Sequence, residues 1–246
     1  MTDFSKVLIR ASAMGIVMTE PQAKADKDAG NLSKSAQTYL KRVYAEYRWG
    51  RVSDIRSKYT DKGTLVEPDS ITLISRLDKK FYIKNEENLR NDFFSGTPDV
   101  FNGETILNAT KLIDIKSSWS AETFLSNIGE TIDKMYYAQG QVYMDLTGCS
   151  EYSVDYCLVD TPFHIIESEK KKLWYEMNCV TEESPEYLAA CAELESNMTF
   201  TDIPPQERRY SIAFNKDQEF IEKCKENVIK CREWLVDFEK LHLGIK

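Results

Sequence analysis

The sequence has little histidine: two residues, His164 and His242, in 246. A zinc centre built on imidazole, or a Ser-His or Cys-His triad, is therefore hard to assemble. There is no Cys-x-x-Cys pair; Cys149, Cys157, Cys179, Cys191, Cys224 and Cys231 stand singly. Such spacing argues against an iron-sulfur cluster, which needs closely set thiolates, and no cluster is expected. Unpaired thiols fit a reducing, cytoplasmic setting. No apolar run is long enough to span a membrane. Residues 11–18, after Arg10, resemble a short secretory core, but Thr19-Glu20-Pro21-Gln22 is not a cleavage region. Excess positive charge is missing as well, the formal net charge being −8. Any affinity for polyanions must then come from local basic patches. No internal repeat is visible.

What is present is the composition of an ordinary globular protein, 42% hydrophobic and 29% charged. Residues 1–246 fit one α/β domain with a sizeable core. Helices are expected over 33–49, after a polar stretch at 20–33, and around Glu67. Strands are expected at 79–83, 92–100, 111–117, 152–159 and 210–214, the last as an edge strand. A helix ends at Thr147-Gly148, and residues 174–205 read as an acidic helical insertion closed by Pro204-Pro205. The terminal helix is expected after Asn215, with Asn215 as cap and Gln218 reaching back. On it Cys224 and Cys231 fall in a stripe with Phe220, Val228, Leu235 and Phe238 and read as core.

The informative segments are Gly96-Thr97-Pro98-Asp99 and Ile113-Asp114-Ile115-Lys116. On a strand, residues two apart share a face, so Asp114 and Lys116 point together while Ile113 and Ile115 turn the other way. Asp99 ends the preceding strand, and Asn102-Gly103 can turn the chain back toward it. Two carboxylates and a lysine make the donor set of a metal-assisted phosphodiester hydrolase. Each pair alone is more often a turn or an edge charge. Upstream, Glu67 shares a helix face with Ile71 and Ile74; it reads either as a metal-centre carboxylate or as a first-turn residue at a helix N-terminus. Downstream, Gln139 lies in the apolar stripe of Met135, Val142 and Leu146. A buried amide there must find partners, either in the carboxylate cluster with help from Tyr143 or in the backbone.

Together with Leu8-Ile9-Arg10-Ala11-Ser12, these motifs in this order resemble the viral recombinase exonucleases, the YqaJ and lambda-exonuclease branch of the PD-(D/E)xK nucleases. The resemblance runs from about Leu8 to the terminal helix. It implies a restriction-endonuclease-like core, a central mixed sheet flanked by helices. It implies a catalytic set of Glu67, Asp99, Asp114, Lys116 and Gln139, supported by Tyr143, and one or two Mg²⁺ or Mn²⁺ ions on Asp99, Asp114, Glu67 and the carbonyl of Ile115. Ser12, Thr97 and Arg10 match positions that hold a 5′-terminal phosphate. Asp114 stands where many relatives carry Glu, which shifts the metal by about one methylene.

The implied activity is a 5′-to-3′ exonuclease on linear double-stranded DNA, making tails for phage-type recombination in a host cytoplasm. A single-strand annealing partner and a homotrimer follow by the same resemblance, with no membrane association. Two other readings stay open: an endonuclease of the same superfamily, and a noncatalytic DNA-binding or assembly protein. For DNA contact, Lys34, Lys41, Arg42, Arg48 and Arg51 surround Tyr39, Tyr44, Tyr47 and Trp49, either as a backbone-tracking surface or as a solvated helix with its rings packed inward. Lys79, Lys80, Lys84 and Lys170 to Lys172 are further candidates.

Overall fold

The computed structural model describes residues 2–52 and 58–244, the side chains of 58–61 excepted. The chain enters on strand β1 (Ile9–Arg10), which runs directly into helix α1 (Ala11–Val17). A short helix α2 (Lys24–Asp28) precedes α3 (Lys34–Trp49). Ser33 caps α3 by accepting from the Ala36 N–H at 3.0 Å, and Gly50 closes it in the left-handed region, φ 64°. Helix α4 (Lys58–Asp78) runs through Pro68. Glu67 is therefore a mid-helix residue and not part of a first turn, so dipole pairing at an N-terminus does not account for it.

Three short strands follow, β2 (Leu89–Arg90), β3 (Phe94–Gly96) and β4 (Val100–Asn102). The single strand expected at 92–100 is thus broken in two. Pro98 has no N–H to give a ladder, so pairing stops at Gly96 and resumes at Val100. The strand expected at 79–83 does not form: Tyr82 is buried while Phe81 and Ile83 are exposed, an alternation with no strand to pair against. A 3₁₀ turn at Ile106–Asn108 leads into β5 (Lys111–Ser117), at the bounds the sequence pattern gives.

After a short helix α5 (Ala121–Leu125), α6 (Lys134–Thr147) is capped by Asp133 and ends at Gly148, φ 78°. Strand β6 (Glu151–Cys157), helices α7 (Phe163–Glu176) and α8 (Pro185–Ser196), strand β7 (Arg209–Asn215) and helix α9 (Gln218–Leu243) complete the chain. The cap of α9 is Asp217, accepting from the Phe220 N–H at 3.0 Å, and not Asn215, which pairs with Glu151 in the sheet. Gln218 bonds forward to Glu222.

The strands form two mixed sheets, ordered β1-β3-β2 and β4-β5-β6-β7. In the larger one β5 and β6 are parallel, and both outer pairings are antiparallel. Leu112 joins the main core under α6, with Val142, Met144 and Val154, whereas Ile113 and Ile115 pack with Val66, Ile71 and Ile74 of α4. A helix therefore lies over each face of β5, which is buried on both sides and not half-buried as alternation alone implies. Cys224 and Cys231 are fully buried in the main core. No helix among the described residues is long and apolar enough to cross a membrane.

Candidate active site

Residues 97–99 connect the two sheets, and the break in pairing delivers the Asp99 carboxylate to β5. Asn85 holds this connection: its N–H donates to the Asp99 carbonyl at 2.7 Å and its amide to that of Pro98 at 2.9 Å. Asp99 Oδ2 accepts from the Ile115 N–H at 2.8 Å. Asp114 projects from β5 toward α6, 1% exposed, with Oδ1 accepting from Gln139 Nε2 at 3.0 Å. Gln139 thus spends its amide on the carboxylate, and its second contact is the Tyr143 hydroxyl at 3.5 Å. Lys116 Nζ lies 2.6 Å from Asp114 Oδ2, a short and largely buried ion pair. The same ammonium sits 4.8 Å from the centre of the Tyr136 ring.

The electrostatics bind these groups into one unit. Burial, then the Asp114 charge, push the Asp99 carboxyl up to about 7, against the opposing pull of Lys116 and the Ile115 N–H. Burial disfavours the Lys116 ammonium, but Asp114 and Asp99 outweigh it and raise its pKa. Tyr143 is raised by burial and then by the same two carboxylates.

Glu67 lies at the margin. It contributes a lesser charge at Asp99, while its carboxylate is held by Lys84 at 2.5 Å. Among the described residues no three His, Cys, Asp or Glu side chains cluster as a ready metal cage. The donors at the centre still suit a hard divalent cation. Asp114 Oδ2 is buried and faces the Lys116 ammonium, and burial with the Asp114 charge pushes the neighbouring Asp99 carboxyl up, a penalty that a divalent cation would offset. The hydrogen bond observed at Ile115 is made by its N–H, to Asp99.

Beside this centre opens a cavity of about 580 Å³, within the range of small-ligand sites. Ser12, Thr97 and Arg10 all line it, together with Lys6, Asn88, Arg90 and Tyr143. Thr97 and Tyr143 join cavity to centre, since the Tyr143 hydroxyl donates to the Thr97 carbonyl at 3.1 Å. Gly96 permits this: a Cβ there would stand 2.5 Å from Tyr143 Cε1 and 3.0 Å from Ala11 Cβ. On the other side Asn88 donates to Thr97 Oγ1 at 3.1 Å, and Arg90 Nε to Asn88 Oδ1 at 2.9 Å.

Comparison with solved structures places this arrangement in a known fold. The chain superposes on a phage-related exonuclease from Haemophilus somnus 129PT with a TM-score of 0.68, at 23% identity over 94% of each chain. An alkaline exonuclease from Laribacter hongkongensis, LHK-Exo, gives 0.63 at 16% identity, over 98% of this chain and 94% of that one. Its complex with dAMP gives 0.60 at 16% identity, over 97% and 95%. The chain has the fold of these exonucleases. No protein-family profile matches the sequence, and no curated protein does.

Several of the basic residues singled out in the sequence are engaged within the chain. Arg48 lies 3.7 Å from the buried Glu239, Lys170 pairs with Glu167 and Glu195, Lys172 with Glu169, and Lys80 bonds to Asn102. In α3, Tyr44 is buried, whereas Tyr47 and Trp49 are exposed. Residues that sequence reasoning missed include Lys6, Asn85, Asn88, Arg90, Tyr136 and Glu46. Tyr136 carried a signal, three positions before Gln139 on the same helical face. Glu46 carried one too, in the stripe of Tyr39, Val43, Glu46 and Tyr47. Asn85 and Arg90 lie where no periodic element is long enough to read.

Proposed function

We propose that the protein is a metal-dependent deoxyribonuclease that degrades linear double-stranded DNA from its ends in the 5′-to-3′ direction. The observation that carries this reading is that the Asp99, Asp114, Lys116 and Gln139 cluster shares Thr97 and Tyr143 with the cavity lined by Ser12 and Arg10. A terminal phosphate seated in that cavity would lie near the cluster, as an end-directed enzyme requires.

Each side chain then has a role. Asp99 and Asp114 supply carboxylate oxygens to one or two Mg²⁺ or Mn²⁺ ions, with the Ile115 carbonyl and Glu67 as further oxygen donors. When bound, a divalent ion polarises the phosphodiester and makes a water more acidic. Gln139 fixes the Asp114 carboxylate through Oδ1 and leaves Oδ2 facing Lys116. Lys116, kept protonated by the carboxylates, steadies the charge that builds on the phosphate during attack. Ser12 and Thr97 offer hydroxyls, and Arg10 a guanidinium, to the 5′ phosphate. With a net charge of −8, contact with DNA falls to local basic side chains such as Lys6, Arg10 and Arg90 of the cavity.

Tails left by such digestion are substrates for a single-strand annealing protein, and a homotrimer closed around the duplex would keep the enzyme on its strand. The test is digestion of linear duplex and covalently closed circle by the wild type, Asp99→Ala and Lys116→Ala. The linear DNA should vanish, the circle persist, and both variants fail. Equal loss of circle and linear DNA would favour an endonuclease; unchanged activity in both variants would displace the site; no digestion by the wild type would favour a noncatalytic DNA-binding protein.

A further inference from the structure

Of the basic residues of α3, Lys34, Lys41 and Arg42 are exposed, and among the described residues none of the three forms an ion pair. The helix holds a single acid, Glu46, and Arg10 engages it, Nη2 donating to both carboxylate oxygens at 2.6 and 2.8 Å. In a chain of net charge −8, a helix face with three unneutralised cations is a local exception. The same face borders a second cavity, an open groove of about 430 Å³ lined by Ile16 of α1 and by Lys34, Ser35, Thr38, Tyr39 and Arg42 of α3. No acid lines it. Positions 34, 38 and 42 recur every four residues and form one stripe, about 12 Å long. The Thr38 hydroxyl is spent on the Lys34 carbonyl at 2.9 Å, which leaves the Ser35 hydroxyl to donate between the cations.

This groove leads on from the cavity assigned to the DNA end. Tyr39 lines both, and α1 borders both: Ser12 lines the cavity, and Ile16, one turn further along, lines the groove. Four residues of helix rise about 6 Å. Successive phosphates of one strand of a duplex lie about 3.4 Å apart along its axis. The step from cavity to groove thus matches the rise of about two nucleotides. Exposed cations and a hydroxyl, with no carboxylate among them, suit phosphodiester oxygens, and contacts of this kind position a duplex without reading its sequence.

We propose that the groove between α1 and α3 binds, through Lys34 and Arg42, the sugar-phosphate backbone of duplex DNA just inside the end whose terminal phosphate occupies the neighbouring cavity. The inference rests on the end-binding reading of that cavity.

Binding in EDTA, where metal-dependent turnover is prevented, tests it with a 5′-phosphorylated duplex of several helical turns, its 5′-hydroxyl counterpart, and a 5′-phosphorylated dinucleotide that reaches no further than the cavity. In the double variant Lys34→Gln/Arg42→Gln the slope of log K against log salt for the duplex should flatten by about 1.8, two contacts at about 0.9 each, and affinity in about 0.1 M salt should fall about ten- to sixtyfold. Dinucleotide binding and the preference for a phosphorylated end should be retained. The charge-keeping variant Lys34→Arg/Arg42→Lys should keep the slope. So should Lys171→Gln/Lys172→Gln, which removes the same charge from α7. An unchanged slope in Lys34→Gln/Arg42→Gln, an equal flattening by the α7 pair, or a parallel loss of dinucleotide binding would overturn the proposal. A wild type that binds phosphorylated and hydroxyl ends alike would instead overturn the end-site reading, whatever the slope does.

Discussion

Asp99→Asn should make the protein more resistant to unfolding at pH 8 than the wild type when divalent ions are absent, and equally resistant at pH 4. In the fold the Asp99 carboxyl stays protonated up to about 7, against an ordinary value of 3.8. The native state therefore binds a proton between these values that the unfolded chain has released, and stability falls as pH rises through that window. The full shift corresponds to about 4 kcal/mol. Asp99 is partly exposed, so about 2–4 kcal/mol is the expected loss. Asparagine is uncharged at both pH values and can still accept from the Ile115 N–H, so the variant escapes this loss. Urea unfolding in EDTA at pH 4, 6 and 8 measures it. Saturating Mg²⁺ or Mn²⁺ should then restore the wild type by about 2.7 kcal/mol at a hundredfold excess over Kd, and Asp99→Asn far less. Parallel pH curves for the two proteins would refute the argument that Asp114 and burial act on Asp99.

Lys116→Ala should lower the initial rate of nucleotide release by about 10² to 10³-fold, because the nearest cation to Asp114 Oδ2 is lost. Gln139→Leu leaves Asp114 Oδ1 without its donor and should cost about 1–3 kcal/mol in thermal unfolding, with activity reduced alongside. Gly96→Ala drives a methyl against the Tyr143 ring and should destabilise by about 1–3 kcal/mol; if denaturation is unaffected, the close approach of β3 and α6 is not as described.

The parts of the molecule that the sequence displays are those whose information is local. Strand β5 is readable because its apolar and β-branched residues run between polar ones at fixed intervals. The ends of α6 are readable from Asp133 and Gly148, and the ends of α3 from Ser33 and Gly50. That Asp114 and Lys116 share a face, and that Gln139 lies in the apolar stripe of α6, follow from periods of two and 3.6, while the choice of Asp114 as the Gln139 partner does not. What is hidden depends on partners distant in the chain. Alternation at 79–83 looked like a strand, but pairing needs a neighbouring edge, and Tyr82 instead bonds Asp78 on α4. The division of 92–100 between two sheets could be suspected from Pro98 but not its consequence, that Asp99 arrives at the Ile115 N–H. The pairing of Glu67 with Lys84 and of Arg10 with Glu46 joins residues 17 and 36 positions apart, beyond the reach of any periodic pattern.

The most direct test of the account is one digestion series: linear duplex with a 5′ phosphate or a 5′ hydroxyl, each in Mg²⁺ and in EDTA. The account predicts rapid loss of the phosphorylated substrate in Mg²⁺, slower loss of the hydroxyl form, and no digestion in EDTA. Digestion that continues in EDTA would contradict the metal centre at Asp99 and Asp114, and equal rates for the two ends would contradict the end-binding role of Ser12, Thr97 and Arg10.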